Sequence, residues 1–236
     1  MSSFAKAFRF IFRDGQIPGA GPLPSLVHLT LGTLAVAGLG IAIAMAIALP
    51  VGIWLGHIHR GSFVAINLGN LGRALPSLAI LAICVALLGL GLVNVELALV
   101  VLAVPPIITN SYAGVDRVDP DLVDAARGMG MTEWEILGRI ELPLAVPLIF
   151  AGLRTAAVLV VATTTISALT GYSGTLGDII NNEESYRLSG VLGAAICVAG
   201  LALAVEMAFA GAQRLLTPRG VRPRYVRAIF PRSARI

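Results

Sequence analysis

The chain has 236 residues, of which 57% are hydrophobic and 13% charged, with a formal net charge of +4 and a mean hydropathy of +0.87. Average soluble domains carry roughly 25% charged residues, so this composition excludes a water-soluble globule and indicates an integral membrane protein. Aromatics are scarce at 6% and the apolar mass is Ala, Leu, Val, Ile and Gly with few alternating runs, which favours helices over an outer-membrane barrel.

Residues 1–14 place Phe4, Phe8 and Ile11 at helical spacing opposite Lys6, Arg9 and Arg13, a pattern suited to a helix lying on a membrane surface. No apolar stretch ending in a small-residue cleavage site follows nearby, so no cleaved signal peptide is expected. Residues 15–24 form a Gly/Pro linker, completing an N-terminal unit of residues 1–25. The membrane domain, residues 26–213, reads as five spans. The first covers 26–56, and 57–76 form an amphipathic connector. The second covers 76–93, and the third covers 95–114 with Pro105 and Pro106 expected to kink it. A charged passage follows, then a fourth span over 144–170, a polar loop and a fifth span over 188–212. The tail, 214–236, holds seven arginines and no acid. If there are five spans, the arginine-bearing tail, charged passage and first connector share one side, which is then cytoplasmic. The basic N-terminal segment then falls outside, against this rule, so either it lies flat on the outer leaflet or the span count is off by one.

Lys6 is the only lysine and no Gly-Lys-Ser/Thr loop is present, so the chain lacks the Walker route to ATP hydrolysis. Cys84 and Cys197 sit in apolar runs and read as spectator thiols. His57 and His59 point in different directions on a helix and have no accompanying carboxylate or thiol in sequence, so no metal site is expected.

The charged passage, 118–143, reads as two short helices meeting at a glycine-permitted corner. Asp119 or Asp121 can cap the first, and Thr132 with Glu135 has the spacing of a capping box for the second. Leu122, Ala125, Ala126 and Met129 fall on one face beside Gly128 and Gly130, a surface that another protein can approach closely. Pro143 ends the second helix or starts the next span.

Asp124-Ala125-Ala126, three residues, Gly130, nine residues, Ile140, one residue and Leu142-Pro143 resemble the cytoplasmic signature of permease subunits of ATP-driven importers. That signature is Glu-Ala-Ala, three residues, Gly, nine residues, Ile, one residue, Leu-Pro; Asp124 is the one departure. The resemblance implies an all-α integral membrane fold of five transmembrane helices in the type I ABC importer permease arrangement. Residues 121–140 would be a cytoplasmic coupling helix in a groove of a separate ATPase. Asp124 would fix its angle, Ala125 and Ala126 permit contact, Gly130 turn the chain, and Ile140 and Leu142-Pro143 carry it into the fourth span. The implied partners are an ABC ATPase dimer carrying ATP and Mg, an extracytoplasmic solute-binding protein, and a second permease copy or sister permease. This chain is expected to be a non-enzymatic subunit without cofactor or nucleic-acid partner, multi-pass in a bacterial or archaeal cell (inner) membrane, with lipid around it.

Residues 74–81, 118–156 and 166–180 further resemble the subfamily that imports glycine betaine, proline betaine, choline and carnitine. Quaternary ammonium groups are held by aromatic rings, but Trp54 and Trp134 fall at interfaces, so the cage is assigned to the binding protein. Polar residues at membrane depth are the pathway candidates: Thr109, Asn110, Ser111 and Tyr112 in the third span, Thr163, Thr164, Thr165 and Ser167 in the fourth. Each can instead bond to its own helix. Arg154 and Glu206 read as lying near cytoplasmic ends, snorkelling or pairing with each other; Arg154 stays among the pathway candidates. Gly171–Gly174 lacks the spacing of a hydrolase elbow, and the loop carries Asp178, Glu183 and Glu184 as docking charges for the binding protein. The coupling signature is blind to cargo, so an importer of methionine or another amino acid stays open, as does a non-transporting scaffold or sensor. The tail can also bind anionic lipid, at roughly 1 kcal/mol per arginine.

Overall fold

In the computed structural model, which describes residues 3–13 and 25–217, every regular element is helical. The Gly/Pro linker over 15–24 and the tail beyond residue 217 lie outside the described residues. The helices are α1 (Ser3–Phe12), α2 (Leu26–His57), α3 (Ser62–Ala74), α4 (Ser77–Leu88), α5 (Leu92–Asp116), α6 (Pro120–Gly128), α7 (Glu133–Ile136), α8 (Leu142–Thr164), α9 (Gly177–Ile180) and α10 (Glu183–Leu216).

α5 is the central rod, packed against α2 and α8, with α3 and α4 on a further side. The approach is close because the facing residues are small. Ala44, Ala48, Ala103, Ala145, Ala156 and Ala157 are all fully buried in the shared core, the way helices meet where lipid offers no hydrophobic drive. At Gly52 and Gly56 of α2, an added Cβ would stand 2.9 Å from the Ile108 carbonyl oxygen and 2.8 Å from Val115 Cβ.

Among the described residues four helical rods are long and apolar enough to cross a membrane, and α3 with α4 makes a fifth, bent by 94°. α4 has 12 residues, which rise about 18 Å against a hydrocarbon core of about 30 Å. Gly61, before α3, lies under Leu55 at the end of α2, whereas Gly89, after α4, receives the Asn94 amide at the start of α5. The pair therefore runs from one end of the bundle to the other. The second span, expected over 76–93, is in fact two half-crossings, and most of the segment read as a surface connector belongs to the first half. α5 remains one helix through Pro105 and Pro106, whereas a bend of 94° separates α3 from α4.

The helical rod that carries the fourth crossing also starts earlier than the span expected over 144–170. α7, a π-turn over Leu137–Glu141 and α8 form one rod from Glu133 to Thr164, and Pro143 sits in the first turn of α8. The 23 residues of α8 rise about 34 Å, enough to cross, so α7 and the π-turn project beyond the bilayer. After α8 the chain makes a short 3-10 turn, Ser167–Thr170, in place of further span. α10 spans Glu183–Leu216 with a break at Arg187, whose φ is 56°.

α1 departs from a helix simply lying on a surface. Ala7 and Phe10 are buried against α10, where Phe10 meets Tyr186 edge-on at 6.2 Å, and Phe4, Phe8 and Phe12 stay exposed. Phe10 also joins Leu26 and Leu29 of α2 and Leu176 and Ile179 around α9. This groups α1, the start of α2 and the loop after α8 at one end, opposite the charged passage.

Candidate functional site

The charged passage is built as its sequence dictates. Asp119 caps α6 through the Asp121 amide at 3.0 Å, and Thr132 and Glu135 form both halves of the capping box. Gly130 turns the chain between them at φ +84°, a conformation glycine adopts without the Cβ penalty. The Gly130 and Met131 amides donate to the Arg127 and Ala126 carbonyls, closing the end of α6.

The two alanines of the signature separate. Ala126 is fully buried among Val118, Val123 and Ile136, so it packs α6 onto α7 and is not part of an outer surface. Ala125 is exposed, with Leu122 at 48% and Met129 at 74% exposure on the same outward face. Asp124 is exposed and reaches Arg127 at 3.4 Å. Gly130 has open space around it, Ile140 packs partly buried beside the α6–α7 cluster, and Leu142 joins the main core.

A chain of polar contacts ties this passage to α2. Arg127 donates to both oxygens of Glu133 at 2.8 and 3.1 Å; Glu133 lies 3.7 Å from His57 Nε2, and His57 Nδ1 lies 2.6 Å from Glu141 of the π-turn. The hydrogen bond from Arg127 holds the Glu133 carboxyl below the usual range. Trp54 and Trp134, expected at membrane interfaces, stack on each other at 5.7 Å. Sequence reasoning missed this role for His57, because its partners lie 76 and 84 positions away in the chain and neither periodicity nor spacing marks them.

The pathway candidates divide. Thr109 and Asn110 line a cavity of about 210 Å³ with Gly69, Gly72, Pro106 and Thr155. The Thr109 hydroxyl donates across to the Ala65 carbonyl of α3 at 2.9 Å, and the Asn110 amide donates to Pro106 of its own helix at 2.8 Å. Gly152 of α8 permits the approach, since a Cβ there would meet Asn110 Cβ at 2.7 Å. Tyr112 and Ser111 are buried on other faces of α5. Thr164, Thr165 and Ser167 donate to carbonyls within their own turn, and Thr163 is buried among them; this group sits at the loop end, apart from the cavity.

Arg154 does not lie near a membrane edge. It is two residues from Gly152, at the level of Asn110 and Pro106, and shares a hollow of about 350 Å³ with Glu206, Ala151, Thr155 and Val158. Among the described residues no ion pair joins Arg154 to Glu206. Asp178 accepts from the Gly174 amide at 2.6 Å and so closes the loop, while Glu183 and Glu184 remain exposed. Glu96 was also missed: it is 8% exposed in α5, with both carboxyl oxygens unpartnered among the described residues and one beside Gly40. A lone carboxylate in the run LVNVELALVV is the signal that marks it.

Comparison with known proteins places this geometry. The family described as binding-protein-dependent transport system inner membrane component matches residues 38–221. The chain is 34% identical over 197 residues to the glycine betaine/carnitine/choline transport system permease protein OpuCB of Bacillus subtilis, covering 83% of this chain and 90% of that one. It is 38% identical over 183 residues to the carnitine transport permease protein OpuCB of Listeria monocytogenes, covering 77% and 84%. It is 36% identical over 195 residues to the choline transport system permease protein OpuBB of Bacillus subtilis, covering 82% and 87%. Among solved structures, an inward-facing form of the MetNI methionine ABC transporter shares the fold with a TM-score of 0.70 at 21% identity, covering 82% of this chain and 96% of that one. An amino acid ABC transporter with histidines gives 0.62 at 18%, covering 92% and 98%.

Proposed function

The chain belongs to the family of binding-protein-dependent transport system inner membrane components, and from that premise we propose that it imports a quaternary ammonium osmoprotectant such as glycine betaine, carnitine or choline. As a member of the family it is a multi-pass, non-enzymatic transport subunit that works with an ATPase and a solute-binding protein. The cargo reading is carried by the likeness to permeases named for those solutes over more than three quarters of the chain.

In this reading the outward face Leu122, Ala125 and Met129, with Asp124 at its edge, docks into the ATPase, where ATP and Mg are held. Ala126 and Gly130 keep α6 and α7 as one rigid piece. Movement of that piece passes to α8 through the unbroken rod and to α2 through His57, so closure of the ATPases tilts the bundle between inward-open and outward-open states. The passage and tail lie in the cytoplasm, with α1 and the loop near Asp178 outside. Thr109, Asn110 and Arg154 line the solute's route beside a second permease copy or sister permease.

Uptake of radiolabelled glycine betaine, with methionine as control, in cells carrying the chain with its ATPase and binding protein tests the cargo. Uptake of methionine alone overturns it. Cysteines placed at Leu122, Ala125 and Met129 test the docking face; failure of all three to cross-link to the ATPase, or labelling of them from outside the cell, overturns that assignment.

A further inference from the structure

Arg154 and Glu206 line one hollow at bilayer depth. Gly152, two residues from Arg154, packs on Pro106, which lies ten residues before the end of α5 at Asp116. Glu206 lies ten residues before the end of α10 at Leu216. Ten helical residues rise about 15 Å, half of a hydrocarbon core of about 30 Å, and Arg154 lies near the middle of α8, Leu142–Thr164, so Arg154 sits near the midplane with Glu206 beside it in the hollow. Neither has a hydrogen-bond or ion-pair partner among the described residues. Charged groups at this depth face a wet path or another protein and not lipid.

The hollow measures about 350 Å³, within the range of about 300–1,000 Å³ of small-molecule sites. It shares two lining residues, Ala151 and Thr155, with the cavity holding Asn110 and Thr109. One wall carries a cation and another an anion, with Val158 and Ala151 as apolar floor. We infer that this hollow is a cradle for a small zwitterion: the Arg154 guanidinium takes the carboxylate through its planar fork, and Glu206 faces the quaternary ammonium. A lone cation such as choline satisfies only half of it. The inference rests on the osmoprotectant reading and deepens it by naming what the permease itself recognises.

The test uses the assembled importer with C84A and C197A and a single reporter cysteine, T155C, or V158C on the same hollow should T155C fail to assemble. Labelling by a maleimide is followed with glycine betaine, tetramethylammonium or acetate present. Glycine betaine is expected to slow labelling at lower concentration than either half-molecule. R154Q and E206Q should each raise the betaine concentration needed by about tenfold or more, the loss of one charge-assisted contact. Equal effects of all three solutes, or none, overturn the cradle. So does restoration of transport by R154E/E206R without betaine protection, which identifies an ion pair between permease subunits. Betaine uptake by the wild-type importer without protection at the hollow overturns the cradle alone; absence of both uptake and protection removes the cargo reading with it.

Discussion

His57 Nδ1 lies 2.6 Å from Glu141 Oε2, with the two side chains 7% and 1% exposed, so the last turn of α2 is bonded to the π-turn that begins the fourth crossing. A carboxylate this deeply enclosed depends on its partner, because leaving one polar group of a buried pair unmatched costs about 1–3 kcal/mol. Glu141→Ala is expected to lower the thermal unfolding midpoint of the purified importer, and Glu141→Gln, which keeps an acceptor oxygen, to lower it less. In a double-mutant cycle with His57→Ala, the losses should fall short of additive; full additivity would show that the contact carries no coupling energy.

The separation of Ala125 from Ala126 predicts two different failures from one kind of change. Ala126→Leu overfills the space among Val118, Val123 and Ile136, at about 1–3 kcal/mol, and should show as lost stability. Ala125→Arg adds bulk and charge to an exposed site, so the importer's permease should fold but capture less ATPase in a pull-down. If both variants lose only stability, Ala125 is not at the docking face.

The sequence displays what repeats locally and conceals what is assembled at a distance. Caps, the Gly130 corner and the first, third, fourth and fifth apolar rods are legible because each depends on residues within a few positions of one another. The second crossing was misread because a 12-residue helix is too short to span, and its other half, Ser62–Ala74, carries Asn67, Asn70 and Arg73, which read as surface. Irregular backbone at membrane depth is tolerated where protein shields it, and here α3 and α4 both pack on α5, while Asn67 and Asn70 stay on the exposed side. The same limit explains the sites: Asn110 and Arg154 were visible as polar residues within apolar runs, but their level and neighbours are set by which helix faces which.

Gly130 sits at φ +84° with nothing within 4 Å of an added Cβ. The cost of Gly130→Ala is therefore conformational and not steric, about 1–2 kcal/mol for an L residue in the left-handed region. Gly130→Asn should cost less, since asparagine enters that region more readily. Unfolding midpoints ordered Gly, Asn, Ala would agree; equal midpoints would mean that the corner relaxes.

Gly152 presents the opposite case, a helical glycine with no special backbone angle but no room. A Cβ there would stand 2.7 Å from both Asn110 Cβ and the Pro106 carbonyl oxygen, so α8 must move off α5. Backbone cannot give way as a flexible side-chain end can, and overpacking of this kind costs about 1–3 kcal/mol. The displaced surface is also the wall of the cavity holding Thr109, Asn110 and Thr155, so the geometry of the route changes with the stability. Gly152→Ala is expected to reduce solute uptake by more than it reduces the amount of assembled importer, measured by quantifying permease in the membrane alongside initial uptake rate. Uptake that falls only in proportion to the assembled complex would place Gly152 in packing alone and remove the α5–α8 seam from the route.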